Sequence, residues 1–182
     1  MSDEASVIAG AHQLGEQTDS IDWLVNCAGV DARAFGGSED HRGPFDHDAA
    51  TLNAVFNLNV TGPMALTTAL LPLLRAGTDA MILNISSQLG SMQVAATKGR
   101  DTAYCISKAG LNMLSVKTST ALAPEGIGVV MLHPGWVMTD MGGTRAQLTV
   151  HESASAIVET MAGLSIADTG RFIRWNGDNH PW

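Results

Sequence analysis

Tyr104 and Lys108 stand four positions apart in Tyr104-Cys105-Ile106-Ser107-Lys108, so on a helix they share one face and can meet the same ligand. A tyrosine phenol, with an ordinary pKa of about 10, is a poor acid-base group at neutral pH, and a neighbouring cation favours its ionised form. Lys108 is therefore expected to tune Tyr104 for proton transfer. A pair with this spacing also occurs on ordinary solvated helix surfaces, so its meaning depends on its surroundings. Upstream, Asn84-Ile85-Ser86-Ser87-Gln88-Leu89-Gly90 places serines at the end of an apolar run that reads as a strand. Downstream, His133-Pro134-Gly135-Trp136-Val137-Met138-Thr139-Asp140 directly follows another such run. Ligands of open α/β sheets bind beyond these strand ends.

The elements that would position these residues alternate along the chain. Val7, Ile8, Ala11 and Leu14 give residues 3–17 helical spacing. Residues 21–25 read as a short buried strand running into Asn26-Cys27-Ala28-Gly29, and residues 31–48, rich in Gly, Asp and His, read as a loop. Residues 48–75 keep helical periodicity around Pro63, which predicts a kinked or interrupted helix. Strands are expected at 81–85, 128–132 and 170–175, and helices at 104–123 and from the Thr149/Glu152 capping box to about residue 164. Strands alternating with helices of this length imply one α/β domain over residues 1–182, with a parallel sheet joined by right-handed crossovers.

These motifs, in this order, resemble the short-chain dehydrogenase/reductase family, and the stretch from 104 to 182 looks like its carbonyl-reductase and C-factor-like branch. The resemblance implies a Rossmann-like, doubly wound parallel sheet. It makes Tyr104 the general acid/base, Ser87 the hydroxyl that polarises a substrate carbonyl, and Lys108 the holder of the nicotinamide ribose. Asn59, in Asn57-Leu58-Asn59-Val60, matches the family's helix asparagine that organises a proton-relay water. Asn26, Ala28 and Gly29 match the element bordering the cofactor, where Cys27 replaces an asparagine; Pro134, Gly135, Val137 and Thr139 match the stretch that meets the nicotinamide carboxamide. The implied reaction interconverts a carbonyl and an alcohol by hydride transfer with NADP or NAD.

The family's first strand and its T-G-x-x-x-G-x-G turn have no counterpart in this sequence, so the sheet is expected to be truncated in its N-terminal half. The phosphate-binding contacts and the residue that separates NAD from NADP are then missing. Two classes of function follow: an oxidoreductase with a reorganised or shared cofactor site, or a catalytically impaired relative that acts as a binding or interaction protein. A homodimer or homotetramer is expected, because strand 21–26 becomes an unprotected edge. Seventeen positions separate Ser87 from Tyr104, so residues 93–102 are expected to reshape the substrate mouth.

Composition narrows the alternatives. The 182 residues carry a net charge of −8, which leaves no broad basic surface for nucleic acid. The two cysteines, Cys27 and Cys105, form no disulfide framework, and the six histidines show no ligand spacing, so no metal site is expected. Neither a secretory signal nor a membrane anchor is visible at the N-terminus, and a cytoplasmic location is expected. Cys105 reads as a small buried side chain and the nine methionines as core filler, whereas Trp136 suits a substrate pocket and packing equally.

Overall fold

The computed structural model describes residues 3–37, 42–97 and 99–182. The expected loops 31–48 and 93–102 are therefore described apart from residues 38–41 and 98, which lie outside the described set.

Four strands, β1 (Trp23–Asn26), β2 (Met81–Ile85), β3 (Gly128–His133) and β4 (Phe172–Arg174), form one parallel sheet in the order β1-β2-β3-β4. The middle of the sheet is uniformly apolar because both of its faces are covered, so Met81-Ile82-Leu83 and Val129–Leu132 are buried without alternation. On one face, α1 (Glu4–Gly15), α3 (Gly62–Ala76) and α5 (Thr102–Leu122) bury Ala11, Leu24, Leu70, Leu74, Ile82 and Val129. On the other, Ile157 and Met161 of α6 (Val150–Ala162) lie against Met81, Leu83, Val130, Leu132 and Ile173. Helices on both faces of a parallel sheet make the fold Rossmann-like, as the alternation of elements predicts.

Local chemistry sets the boundaries of these elements. The Asp3 carboxylate caps α1 at Ala5, and Thr149 with Glu152 forms the expected reciprocal capping box of α6. β1 is an edge strand: Val25 is 40% exposed, whereas Leu24 points into the core. α1 lies on α3 and covers the inner face of β1, leaving the outer edge with no strand partner among the described residues.

Residues 48–75 form a helix whose regularity is interrupted next to Pro63, as its sequence predicts, but by a bulge. α2 (Ala49–Phe56) runs into α3 through a π-helical turn, Asn57–Thr61, which ends just before Pro63, so the break in the regular hydrogen-bond ladder falls where the proline lacks its amide. The one-residue bulge, rather than a kink, absorbs the mismatch and turns Asn59 inward. The run Ala49–Ala76 contains an 18-residue window with a mean hydropathy of 1.3 and is long and apolar enough to cross a membrane by length and composition. Here its Val55, Leu70 and Leu74 fill the protein's own core.

Beyond β4 the chain turns back on itself. His180 donates its amide to the Phe172 carbonyl, and its ring lies 4.8 Å from that of Phe172 and 5.3 Å from that of His133. Burial, then the neighbouring His180 and Arg174, push the His133 imidazole down to about 3 from its ordinary 6.5. Between these two values the unfolded chain binds a proton that the folded chain refuses. This contribution to stability is complete above about pH 6.5 and is lost as pH falls toward 3. Urea unfolding is expected to show stability falling by about 2 kcal/mol between neutrality and pH 5. His133→Gln, which keeps an acceptor for the Gly135 amide, should flatten that dependence. An unchanged slope would contradict the assignment.

Candidate active site

Four loops leave the carboxyl ends of the parallel strands on one side of the sheet, and α5 rises among them. The buried face of α5 carries a polar stripe at helical spacing: Ser107, Lys108, Asn112, Ser115 and Ser119 are all buried. A buried polar group requires a hydrogen-bond partner, and each of these finds one at a strand end or in the adjoining turn or helix. The Lys108 ammonium donates to the Ile85 carbonyl at the end of β2, at 2.8 Å. Asn112 accepts from the Ser86 hydroxyl at 2.6 Å and donates to the Gly90 carbonyl. Ser115 accepts from Asn84, whose carbonyl oxygen accepts from Asn26.

Asn59 closes the arrangement from the π-helical turn. It is fully buried, and its side chain donates to the Val30 carbonyl at 2.8 Å, accepts from the Val30 amide at 2.9 Å and donates to the Ser107 hydroxyl at 2.9 Å. Both of its side-chain polar atoms are engaged with protein, so it ties the segment after β1 to α5. The Ser107 hydroxyl in turn donates to the Tyr104 carbonyl.

Tyr104 projects from the first turn of α5 toward Ser87. The Ser87 hydroxyl lies near enough to the phenol to favour its ionised form, and Lys108 Nζ lies 5.6 Å from the centre of the phenol ring. Ser87 also caps the short turn Gln88–Gly90 by accepting the Leu89 amide, which fixes its rotamer. The electrostatics depart from the expected tuning. Burial pushes the Tyr104 phenol up to about 12, against a lowering by the Ser87 hydroxyl and with a further push from Asp31. Lys108 does not pull the phenol down, because a lysine that titrates near 8 has already lost its charge where a phenol near 12 would ionise. Burial lowers Lys108 itself to about 8. At neutral pH the site therefore holds a protonated phenol beside a lysine that is still mainly cationic.

Two glycines permit this closeness. A Cβ on Gly29 would lie 3.3 Å from Lys108 Nζ and 3.7 Å from Asn59 Oδ1, so its bare backbone leaves a cradle lined by the ammonium and the amide. A Cβ on Gly90 would stand 2.9 Å from the main-chain oxygen of Lys108, so a side chain there would force the Ser87 turn away from α5.

The residues expected to border a cofactor are divided by the fold. Gly29 and Ala28 lie accessible beside Lys108, but the Asn26 side chain points into the protein, donating to Asn84 at 2.7 Å and to Thr67. Pro134, Gly135, Val137 and Thr139 follow β3 in a loop held by the Met138 amide on the Leu148 carbonyl. In that loop Thr139 caps Gly142, and the Trp136 indole donates to the Gly142 carbonyl at 2.8 Å. Cys105 is half-buried near the Arg100 carbonyl, and Cys27 is exposed. Asn112 escapes a motif-based reading; its signal is the polar stripe itself, since 104, 108 and 112 are spaced by four.

The donor set fits the nicotinamide-ribose half of a dinucleotide. An ammonium faces an open glycine cradle, with a protonated phenol and a hydroxyl beside it. Among the described residues, no glycine-rich turn joins a strand to a helix beyond β1, where a pyrophosphate would be held.

Sequence comparison matches residues 1–148 to the short chain dehydrogenase family. The chain is 40% identical over 167 residues to C-signal of Myxococcus xanthus, covering 91% of this chain and 95% of that protein. The NADPH-bound carbonyl reductase from chicken fatty liver superposes with a TM-score of 0.89 at 33% identity, over all of this chain and 74% of that one. Carbonyl reductase Sniffer of D. melanogaster gives the same TM-score at 31% identity, over all of this chain and 75% of that one. With the family matched over most of its length and its fold shared with carbonyl reductases, this chain belongs to the short-chain dehydrogenase/reductase family.

Proposed function

We propose that this protein is a nicotinamide-dependent carbonyl reductase whose own residues supply the proton and orient the reacting groups. The observation that carries this reading is the Tyr104 phenol set near Ser87 and beside a buried Lys108. The bound nicotinamide would supply or accept the hydride, which is chemistry the side chains lack. Lys108 would hold its ribose in the cradle at Gly29, with the loop 134–139 beside it. Ser87 would donate a hydrogen bond to the substrate oxygen and stabilise the charge that develops there. Tyr104, protonated throughout the neutral range, would pass its proton to that oxygen. Asn59 acts as a positioning residue through Val30 and Ser107.

The cradle suits the part common to NADH and NADPH, so both are to be tested as reductants. The substrate is a small carbonyl or alcohol compound, and a cytoplasmic setting belongs to the same reading. A second reading, a binding protein without turnover, is favoured by the absence of a phosphate-binding turn among the described residues. It is distinguished by a folded chain that neither binds nor oxidises NADH or NADPH.

Assembly through β1 is also proposed. The outward-facing residue of that edge is Val25, since Leu24 is buried. The groove of about 290 Å³ between α3 and α5, bordered by Met64 and Leu114, offers a second contact surface.

Three outcomes are expected. Tyr104→Phe should lower NADPH-dependent carbonyl reduction at least ~100-fold and Ser87→Ala ~10-fold or more, while unfolding temperatures stay near the parent's. A Tyr104→Phe protein as active as the parent would rule out the proton-transfer role. NADPH affinity should fall as pH rises through about 8, where Lys108 loses its charge, and Lys108→Ala should remove that dependence; fluorescence titration across pH 6–9.5 reads both. Size exclusion with light scattering should show a dimer or tetramer that Val25→Lys dissociates. A monomeric parent would contradict assembly, and a variant that stays assembled would move the contact to the α3/α5 groove.

A further inference from the structure

We propose that Arg33 is a positioning residue that latches the loop after β3 to the segment after β1 and so fixes the two sides of the nicotinamide cradle relative to one another. The inference rests on the carbonyl-reductase reading, which puts Gly29 on one side of the nicotinamide and residues 134–139 on the other. β2 lies between β1 and β3, so the sheet itself does not join the two segments that follow those strands. Arg33 supplies a tie: its guanidinium donates to the Met141 carbonyl at 2.8 Å, across 108 positions of sequence.

Both ends of the tie are fixed. On the β1 side, Arg33 Nε and Nη2 donate to one oxygen of the Asp31 carboxylate at 2.9 and 2.6 Å, and its other oxygen accepts the Arg33 amide at 2.9 Å. Charge-assisted bonds of this kind set the orientation of the guanidinium as well as its position. The two side chains are only 25% and 11% exposed, so the pair is screened less than one on the open surface. Val30, the residue before Asp31, has its amide and its carbonyl both bonded to Asn59. On the β3 side, Met141 belongs to a turn closed on itself. The Thr139 hydroxyl accepts the Gly142 amide, the Thr139 carbonyl accepts the Gly143 amide, and the Trp136 indole donates to the Gly142 carbonyl. A Cβ on Gly142 would press into the Val137 carbonyl oxygen, so the turn needs a glycine there. Holding Met141 therefore holds Val137 and Thr139 with it.

The same ion group reaches the start of α5. Arg42 lies 3.9 Å from Asp31 and 2.9 Å from Asp101, and its carbonyl accepts the Thr102 amide at 3.0 Å. Asp101 has a left-handed backbone, with φ of 61°, and its carboxylate does not cap the helix. Its pairing with Arg42 offsets the cost of both. Asp31 is also close enough to Tyr104 for its charge to act on the phenol. The latch thus joins the loop after β1, the first turn of α5 and the loop after β3.

Hydrogen exchange of the full chain, read by mass spectrometry, tests the latch. Arg33→Ala should speed exchange in residues 136–148 at least ~10-fold, the worth of one charge-assisted hydrogen bond, while peptides from β2 through α4 (Met92–Ala95) and from α6 keep the parent's rates. Asp31→Asn with Arg33→Gln, which removes both charges together and leaves no unpaired ion, should loosen the same residues. Reduced nicotinamide mononucleotide, which lacks the adenosine half, should bind each variant at least ~5-fold more weakly than the parent. In turnover KM for NADPH should rise while kcat stays within ~2-fold, because the latch handles neither hydride nor proton. Unchanged exchange in 136–148 in both variants, or a loosened loop with the parent's affinity for the mononucleotide, would overturn the inference. The reductase reading is judged separately: a loop loosened without Arg33 in a protein that neither binds the mononucleotide nor oxidises NADPH keeps the latch and removes that reading. NADPH oxidation with the parent's KM in both variants does the reverse.

Discussion

A cation buried in a protein must be given hydrogen-bond acceptors or it loses its charge, and the site is organised around how Lys108 meets that demand. Its ammonium sits on the Ile85 carbonyl, the last of β2, so the register of a central strand fixes the height of the charge. Everything that touches Lys108 then has to come close without a clash. Gly29 and Gly90 lack side chains where one would press on the ammonium or on the α5 backbone. The same helix face carries Tyr104 one turn earlier and Asn112 one turn later. Anchoring one residue therefore orients the phenol toward Ser87 and locks the Ser86 hydroxyl behind it.

The π-helical turn at Asn57–Thr61 serves the same constraint from another direction. A regular helix through 49–76 would rotate successive residues evenly, whereas the bulge shifts the phase and sends Asn59 to Val30 and Ser107. Pro63 lies just beyond, in a position that tolerates its missing amide. Hydrophobic periodicity shows that a long helix exists here and that proline disturbs it. It cannot show a bulge of one residue, because the apolar spacing on either side remains helical. The strands were legible because buried parallel strands leave unbroken apolar runs; β2 spans the residues 81–85 read from sequence alone, and α6 begins at its capping box.

The candidate site was legible as a set of residue types at motif spacings, and only partly as chemistry. Tyr104, Ser87, Lys108 and Asn59 do converge, but the expected lowering of the phenol by Lys108 is absent. Sequence gives the neighbour and not the burial that moves the phenol up and the lysine down until the two no longer titrate together. Asn26 matches a cofactor-bordering element yet turns inward to Asn84, because alternate residues of a strand face opposite sides of the sheet. Trp182 illustrates the opposite case. Its bond to Gln93 depends on the chain folding back after β4, a contact with no local signature in the sequence.

Saturation-transfer NMR of the 182-residue chain with NADPH is the most direct test of a cofactor site centred on Lys108, Tyr104 and the loop 134–139. Saturation should pass most strongly to the nicotinamide ring and its ribose and least to the adenine, because the residues that converge all lie at the nicotinamide end. Transfer concentrated on the adenine, or no transfer to a folded protein, would contradict a site built around the buried lysine.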